Sequence, residues 1–177
     1  MMLAAVAVVA FVAVAGAVFW LSEQQARKMQ VGIPDFSSQE FRLTDQSGAS
    51  RSAADFAGAP VALFFGYTHC PDVCPMTLSL LANALDELGD RGLDTAALQT
   101  IFVTVDAERD TPEQLAAYLS LFDTEVTGLT GSSEALVKVQ RDFGAYASRV
   151  ARDDGAVLWD HTATVYLYDA DGRFTGT

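Results

Sequence analysis

The sequence predicts an α/β fold, a sheet of strands that alternate along the chain with helices packed on both faces. Two observations support this: apolar stretches of strand length, continuous at residues 61–65 and predominant at 98–105, and helical spacing of the apolar residues that follow them. The length of 177 residues suits one domain plus a short additional segment. With half of the residues hydrophobic and 19% charged, a disordered or collagen-like chain is excluded.

The charge and the cysteine content exclude further classes. The 23 acidic and 11 basic residues give a formal net charge of −12, and such a surface repels nucleic-acid phosphates, so we expect no nucleic-acid partner. Two cysteines and two histidines are too few for a zinc-ribbon or iron–sulfur protein that supplies all its own ligands. Any metal site in this chain is therefore small.

A membrane anchor is predicted at the N-terminus. Residues 3–21 contain no charged residue and no proline, and the run is long enough to cross most of a bilayer as a helix. The alternative is a signal peptide cleaved near Ala15–Gly16–Ala17, but the apolar run continues past that site and no Lys or Arg precedes it. We therefore predict a transmembrane anchor over residues 1–22, a juxtamembrane linker over 23–32 and a folded domain over 33–177.

The first half of the domain shows strand, turn and helix patterns in order. Residues 41–43 predict a strand that enters a turn at 45–48, which suggests a hairpin. The apolar run 61–65 predicts a strand buried on both faces and ending at Gly66. From Pro75 to about Gly89, apolar residues recur at helical spacing and predict a helix.

The second half continues the alternation. A second buried strand over 98–105 precedes a helix that Thr111 caps and that runs to about Phe122. Asp106 ends this strand, where α/β sheets tend to place their sites, whereas residues 108–110 predict a solvated loop. The remaining elements are a helix from Ser132 or Ser133 to about Phe143, strands at 157–158 and 164–168, and a turn at 169–172.

Two cysteines, the residues best suited to redox chemistry or metal binding, lie just after the first predicted buried strand. Cys70 and Cys74 lie four residues apart, with Cys74 at the start of the predicted helix, and a helix N-terminus lowers the pKa of nearby thiols. The pair can form a structural disulfide of an exported domain or hold a soft cation such as Cu(I). A disulfide closing so short a loop stabilises little, which favours a chemical role.

Residues 66–75, Gly-Tyr-Thr-His-Cys-Pro-Asp-Val-Cys-Pro, resemble nearly residue for residue the signature of the Sco/SenC family. Its members are membrane-anchored thioredoxin-like proteins involved in copper delivery to cytochrome c oxidase. Residues 102–113 and Asp160–His161–Thr162 agree with this resemblance. It implies a thioredoxin-like sheet of the peroxiredoxin-like variant, and copper ligands at Cys70, Cys74 and His161. Relatives continue into a further helix where this chain ends at Thr177, so we expect a domain truncated at its C-terminus.

The resemblance leaves two functions open for the same residues. The first is a copper metallochaperone for the CuA site of cytochrome c oxidase subunit II, which holds Cu(I), with Cu(II) also open, through Cys70, Cys74 and His161. The second is a thiol–disulfide reductase of the CuA-site cysteines, with Cys70 and Cys74 as the catalytic pair. A peroxidase is disfavoured because Thr68 lies two residues before Cys70, whereas the peroxidatic pattern places threonine three before the cysteine.

The neighbours of these residues receive simpler interpretations. His69 is adjacent to Cys70, so its side chain is expected to point away, as a loop histidine held by hydrogen bonds. Met76 is expected in the core rather than as a fourth ligand. Asp160 either orients the imidazole of His161 or faces water. Tyr67 and Phe65 are expected to pack under the loop.

The location follows from the resemblance. It implies an N-terminus in the cytoplasm and residues 23–177 outside it, in the periplasm or, in a eukaryote, the mitochondrial intermembrane space. Arg27 and Lys28 alone favour the opposite orientation. The expected partners are the membrane, through the anchor, and cytochrome c oxidase subunit II.

Overall fold

The computed structural model describes residues 14, 16–17, 20, 32–152, 155 and 157–177. The chain divides into two compact units, Met1–Ile33 and Pro34–Thr177, and the fold below is that of the second unit. The predicted anchor, 1–22, and linker, 23–32, fall outside the described residues except at isolated positions. Within the described part of the chain, no helix has the length and apolarity needed to cross a bilayer.

Strands and helices alternate along the described part of the domain. Two short 3-10 turns, Phe36–Ser38 and Ala53–Phe56, accompany its first strands. The helices and strands are β1 (Leu43–Asp45), β2 (Ser50–Arg51), β3 (Val61–Gly66), α1 (Val73–Asp90), β4 (Gln99–Thr104), α2 (Pro112–Leu119), β5 (Val126–Thr130), α3 (Ser133–Asp142), β6 (Ala147–Ala151), β7 (Val157–His161), β8 (Val165–Tyr168) and β9 (Phe174–Gly176).

A seven-stranded sheet in the order β2-β1-β5-β4-β3-β8-β9 forms the centre of the domain. The pairs β3–β4 and β4–β5 are parallel, and the remaining pairs of this sheet are antiparallel. β6 and β7 form a separate antiparallel hairpin. The prediction of an α/β fold with a central sheet and flanking helices is therefore confirmed.

Strands β3 and β4 lie in the middle of the hydrophobic core. All six residues of β3 are buried, as the unbroken apolar run predicted, and the ring of Phe64 packs 5.8 Å from that of Phe102 on β4. In the parallel register Phe64 pairs with Phe102 and Gly66 with Thr104. The loops that follow β3 and β4 therefore leave the sheet side by side, at the edge where α/β proteins place their sites.

The helices begin close to their predicted starts. α1 begins at Val73, two residues before the predicted Pro75, and this places the proline in the first turn, where a backbone N–H would have no helical partner. The side chains of Thr111 and Ser132 cap α2 and α3 by accepting hydrogen bonds from the amides of Gln114 and Ala135. α2 ends at Leu119, three residues before the predicted end.

Among the strands of the described residues, three were not predicted: β5, β6 and β9. In β5 the apolar pattern is interrupted by Gly128, because the side chain of Leu119 on α2 occupies the space next to it. A Cβ atom on Gly128 would lie 2.5 Å from Leu119 Cδ1. β6 is largely exposed and pairs with β7, so it lacks the apolar signal of a core strand.

Candidate metal centre

Both cysteines lie where the chain passes from β3 to α1. Cys74 is in the first turn of α1 and is 0% exposed, whereas Cys70, in the preceding loop, is partly exposed. The backbone N–H of Cys74 donates to Cys70 Sγ at 3.4 Å, so the helix N-terminus contacts the Cys70 sulfur. Both residues are free thiols in this structure, and they do not form the structural disulfide considered from the sequence.

His161 reaches the cysteines from the far end of the chain. It is the last residue of β7 and pairs with Ala147 of β6. Its ring packs edge-on against Tyr67, at 5.7 Å between ring centres, and against Phe64, at 6.3 Å. The buried rings of Phe64, on β3, and Tyr67, directly after it, therefore fix the position of the imidazole.

Cys70, Cys74 and His161 form one group. Their sulfur and ring-nitrogen atoms all lie within 4.8 Å of one another, and Cys74 Sγ is 3.4 Å from His161 Nε2. Thiolates prefer Cu(I) and zinc, and imidazole accepts copper and zinc. A set of two sulfurs and one imidazole nitrogen is one that suits Cu(I).

Burial controls the ionisation of Cys74. It raises the pKa of the thiol well above its ordinary value; a backbone hydrogen bond from Tyr67 opposes this rise, and the contact with Cys70 adds to it. The expectation of a lowered pKa is wrong for Cys74, because burial of the sulfur disfavours its thiolate form. The thiol of Cys74 must lose its proton to bind a cation.

The tautomer of His161 is set by a backbone carbonyl. Its Nδ1 lies 3.0 Å from the carbonyl oxygen of Thr162, which can only accept. In the neutral ring Nδ1 therefore carries the proton, and the lone pair of Nε2 faces the sulfur of Cys74, as a ligand requires. Asp160 is exposed, so of its two predicted roles the one that faces water is confirmed.

The other predicted neighbours lie outside the group. The ring of His69 is held at Nδ1 by the hydroxyl of Thr68 at 3.0 Å, which confirms a loop histidine fixed by hydrogen bonds. Met76 is 53% exposed, so its predicted place in the core is wrong; it falls on the solvent face of α1. Tyr67 and Phe65 are buried beneath the loop, as predicted.

Comparisons with known proteins agree with this geometry. The family model described as SCO1/SenC matches residues 33–177. This chain belongs to the SCO1/SenC family. "Protein SCO2 homolog, mitochondrial" of Danio rerio is 40% identical over 152 residues, 85% of this chain and 52% of that protein. "Protein SCO1 homolog, mitochondrial" of Homo sapiens is 35% identical over 152 residues, 85% of this chain and 50% of that protein. The chain thus spans about half the length of these curated relatives.

Solved SCO1/SenC structures share the fold. "Structure of Bradyrhizobium japonicum ScoI with copper bound" is 41% identical, with a TM-score of 0.73 over 82% of this chain and 88% of that one. "Crystal structure of Arabidopsis thaliana ScoI with copper bound" is 32% identical, with a TM-score of 0.74 over 82% of this chain and 86% of that one. The thioredoxin-like fold implied by the resemblance is confirmed.

Gly66 is a site residue whose role was not predicted from the sequence. A Cβ atom at this position would lie 2.8 Å from Cys74 Sγ and 2.8 Å from Phe102 Cε2. The absent side chain therefore provides the space that the buried sulfur occupies. A glycine at the end of a buried strand, directly before a cysteine motif, is the signal that marks such a close approach.

Asp110 corrects the prediction of a solvated loop at 108–110. Its carboxylate is 0% exposed and accepts hydrogen bonds from the Thr68 amide at 2.9 Å, the Thr68 hydroxyl at 2.7 Å and the Thr104 hydroxyl at 2.5 Å. Asp106 is also buried and forms an ion pair with Arg109. The polar composition of residues 108–110 suggested that they face solvent. In the fold, Thr68 and Thr104, at the adjacent ends of two parallel strands, supply buried hydrogen-bond donors to Asp110.

Proposed function

We propose that this chain is a copper metallochaperone that binds copper through Cys70, Cys74 and His161. Its recipient is the CuA site of cytochrome c oxidase subunit II. The observation that carries the proposal is the convergence of two sulfurs and one imidazole nitrogen within 4.8 Å. The similar ScoI structures described as copper-bound support it. The donors suit Cu(I) in particular, and the imidazole also suits Cu(II).

Delivery from such a site requires access to the metal. Cys70 and His161 are partly exposed, whereas Cys74 is fully buried. Thiolates of the recipient approach copper from the exposed side and displace the ligands one at a time. Cys74, the least accessible ligand, is then the last to release the ion.

The alternative is a thiol–disulfide reductase that prepares the CuA-site cysteines for metal. Both thiols are free, and the partly exposed Cys70 lies within contact of the Cys74 amide. The Cys70 thiolate attacks a disulfide of subunit II and forms a mixed disulfide. Cys74 then resolves it, so that the substrate leaves with two thiols and Cys70–Cys74 becomes the disulfide.

The location proposed for the domain is the outer side of the inner membrane, held by the anchor over residues 1–22. Relatives named as mitochondrial support the corresponding intermembrane-space location in a eukaryote. Fusion of alkaline phosphatase after Gln30 tests the orientation in bacterial cells. We expect an active reporter, and an inactive one beside an active cytoplasmic reporter at the same position would reverse the orientation.

His161→Ala separates the two functions. Disulfide exchange has no need of a distant imidazole, whereas the copper site loses one of three ligands, and we expect Cu(I) retention to fall roughly tenfold to a hundredfold or more. His69→Ala is the matched control, because His69 lies outside the group. This variant should retain copper nearly as well as the unchanged protein. Chelator competition measures retention, and oxidase assembly in cells carrying each variant reports the function. Normal retention and assembly with His161→Ala would leave the reductase as the better account.

A further inference from the structure

We infer that Asp110 is a positioning residue that holds the cysteine loop, residues 67–72, in its copper-binding conformation through Thr68. The inference rests on the proposed function, which it deepens. Asp110 lies on the loop after β4 and Thr68 on the loop after β3. Two atoms of Thr68, the backbone nitrogen and the hydroxyl oxygen, donate to the two carboxylate oxygens of Asp110.

The burial of Asp110 makes this connection strong. A fully buried carboxylate is stable only when hydrogen-bond donors replace its water, and here three donors do so. Two of them belong to Thr68 and one to Thr104, at the end of β4. The same carboxylate therefore joins the cysteine loop to the end of the neighbouring parallel strand.

Thr68 transmits this constraint to the ligands. It lies two residues before Cys70, inside a turn closed by the Cys70 amide donating to the Tyr67 carbonyl at 3.2 Å. Because the Thr68 hydroxyl donates to Asp110, its oxygen is left to accept from His69 Nδ1 at 3.0 Å. Asp110 thus fixes the turn in the orientation that keeps His69 outside the group and leaves Cys70 facing His161.

Amide exchange separates the position of Asp110 from its charge. A negative charge near the site attracts a bound cation but disfavours the thiolates that hold it, so Cu(I) affinity alone does not distinguish the two roles. If Asp110 acts by position, loss of its hydrogen bonds to Thr68 speeds amide exchange of the cysteine loop in the copper-free protein. Thr68→Val removes one of those bonds and leaves the charge of Asp110 in place.

The test compares four variants of the full chain: Asp110→Asn, Thr68→Val, Thr68→Ser and Thr104→Val. Cu(I) affinity is measured by chelator competition, and amide hydrogen exchange of Thr68 and Cys70 is measured without copper. We expect Asp110→Asn and Thr68→Val to weaken Cu(I) binding roughly tenfold. This is the lower end of the range of effects measured when residues that orient metal ligands are replaced. Both should speed exchange at these two amides, and Thr68→Ser, which keeps the hydroxyl, should restore both properties.

Thr104→Val is the matched control. It removes a hydrogen bond to the same carboxylate but none to the cysteine loop, so we expect destabilisation without a comparable loss of copper. Unchanged or tighter copper binding by Asp110→Asn overturns the inference, as does equal weakening by Thr104→Val. If Asp110→Asn does not fold, the Thr68→Val and Thr68→Ser pair decides the question. If the unchanged protein binds no copper, the proposed function fails, and the exchange data alone decide whether Asp110 holds the loop.

Discussion

At the scale of single residues, the site depends on close contacts around Cys74. The sulfur occupies space that the missing side chain of Gly66 leaves, beside the ring of Phe102, and it faces Nε2 of His161. Packing in such an interior is dense enough that one added methyl group must displace a neighbour. The position of this ligand is therefore set in part by Gly66 and Phe102, which have no donor atom for a metal.

Gly66→Ala should displace Cys74. Its Cβ would lie 2.8 Å from both Cys74 Sγ and Phe102 Cε2, below any normal contact, so both neighbours or the backbone of residue 66 must shift. We expect a loss of about 1–3 kcal/mol in the free energy of unfolding, as for other overpacked cores, together with weaker Cu(I) retention. Urea unfolding and chelator competition measure the two effects. Ala62→Gly is the reverse change on the same strand, and it should lower stability without a comparable effect on copper. Wild-type copper retention in Gly66→Ala would show that the site tolerates the added methyl group.

The different burial of the two cysteines predicts selective labelling. In the reduced, copper-free protein, iodoacetamide at pH 8 should modify the partly exposed Cys70, because Cys74 is fully buried and its pKa is raised by that burial. Mass spectrometry of the peptides identifies the labelled residue. The Cys70→Ser variant should remain unmodified until it is unfolded. Equal labelling of both cysteines in the folded protein would contradict this arrangement.

The sequence predicted the residues that form the group but not those that hold them. Cys70, Cys74 and His161 lie in recognisable motifs. The carbonyl of Thr162, which orients His161, is a backbone group that every residue has, so the sequence does not mark it. The burial of Asp110 was also missed, because an acidic residue in a polar stretch gives no sign of donors from a loop about forty residues earlier in the chain. Contacts of this kind arise only when the strands pair.

At the scale of elements, the parallel pair β3–β4 and the hairpin β6–β7 bring the site together. β3 delivers the cysteines, and β7 ends at His161. Arg109, on the loop after β4, donates from Nη1 to the carbonyl of Val157 at 3.1 Å, which ties the hairpin to the main sheet. The buried strands and the capped helices were predictable from apolar runs and capping residues. The exposed strand β6 was not, because it is held by pairing with β7 and has no apolar pattern that burial would require.

The turn between β1 and β2 gives a prediction for stability. Burial opposes the ionisation of Asp45, but hydrogen bonds from Ser47, Arg51 and the Ala49 amide outweigh it and lower its pKa to about 2. A pKa lowered by folding contributes stability at neutral pH that is lost as the pH falls from about 4 towards 2. Asp45→Asn should therefore lower the free energy of unfolding at pH 7 by about 1–3 kcal/mol, the cost of hydrogen bonds to a buried charge.

Urea unfolding at several pH values measures this effect. The difference between the unchanged protein and Asp45→Asn should shrink as the pH is lowered from 4 to 2, because the carboxylate becomes protonated in the folded state. Asp86→Asn, on the exposed face of α1, is the control and should have little effect at either pH. A difference that stays constant down to pH 2 would contradict the role given to the Asp45 charge.

At the scale of the whole molecule, the fold joins distant parts of the sequence at one edge of the sheet. Cys70 and His161 are ninety-one positions apart in the chain, and they meet because the chain leaves β3, next to the central strand β4, at the same end of the sheet to which β7 brings His161. The α/β class followed from alternating patterns along the sequence. The strand order did not, because short strands such as β5 and β9 carry too little apolar signal to be recognised before they pair.

The copper content of the purified chain, after anaerobic Cu(I) loading and chelator competition, decides whether Cys70, Cys74 and His161 form a copper site. It is measured in two states, with Cys70 and Cys74 reduced or joined by a disulfide. We predict one Cu(I) per chain in the reduced state and none in the oxidised state, because only the reduced sulfurs supply two thiolates beside the His161 imidazole. Copper held equally well by the oxidised protein, or none held by the reduced protein, would contradict the account.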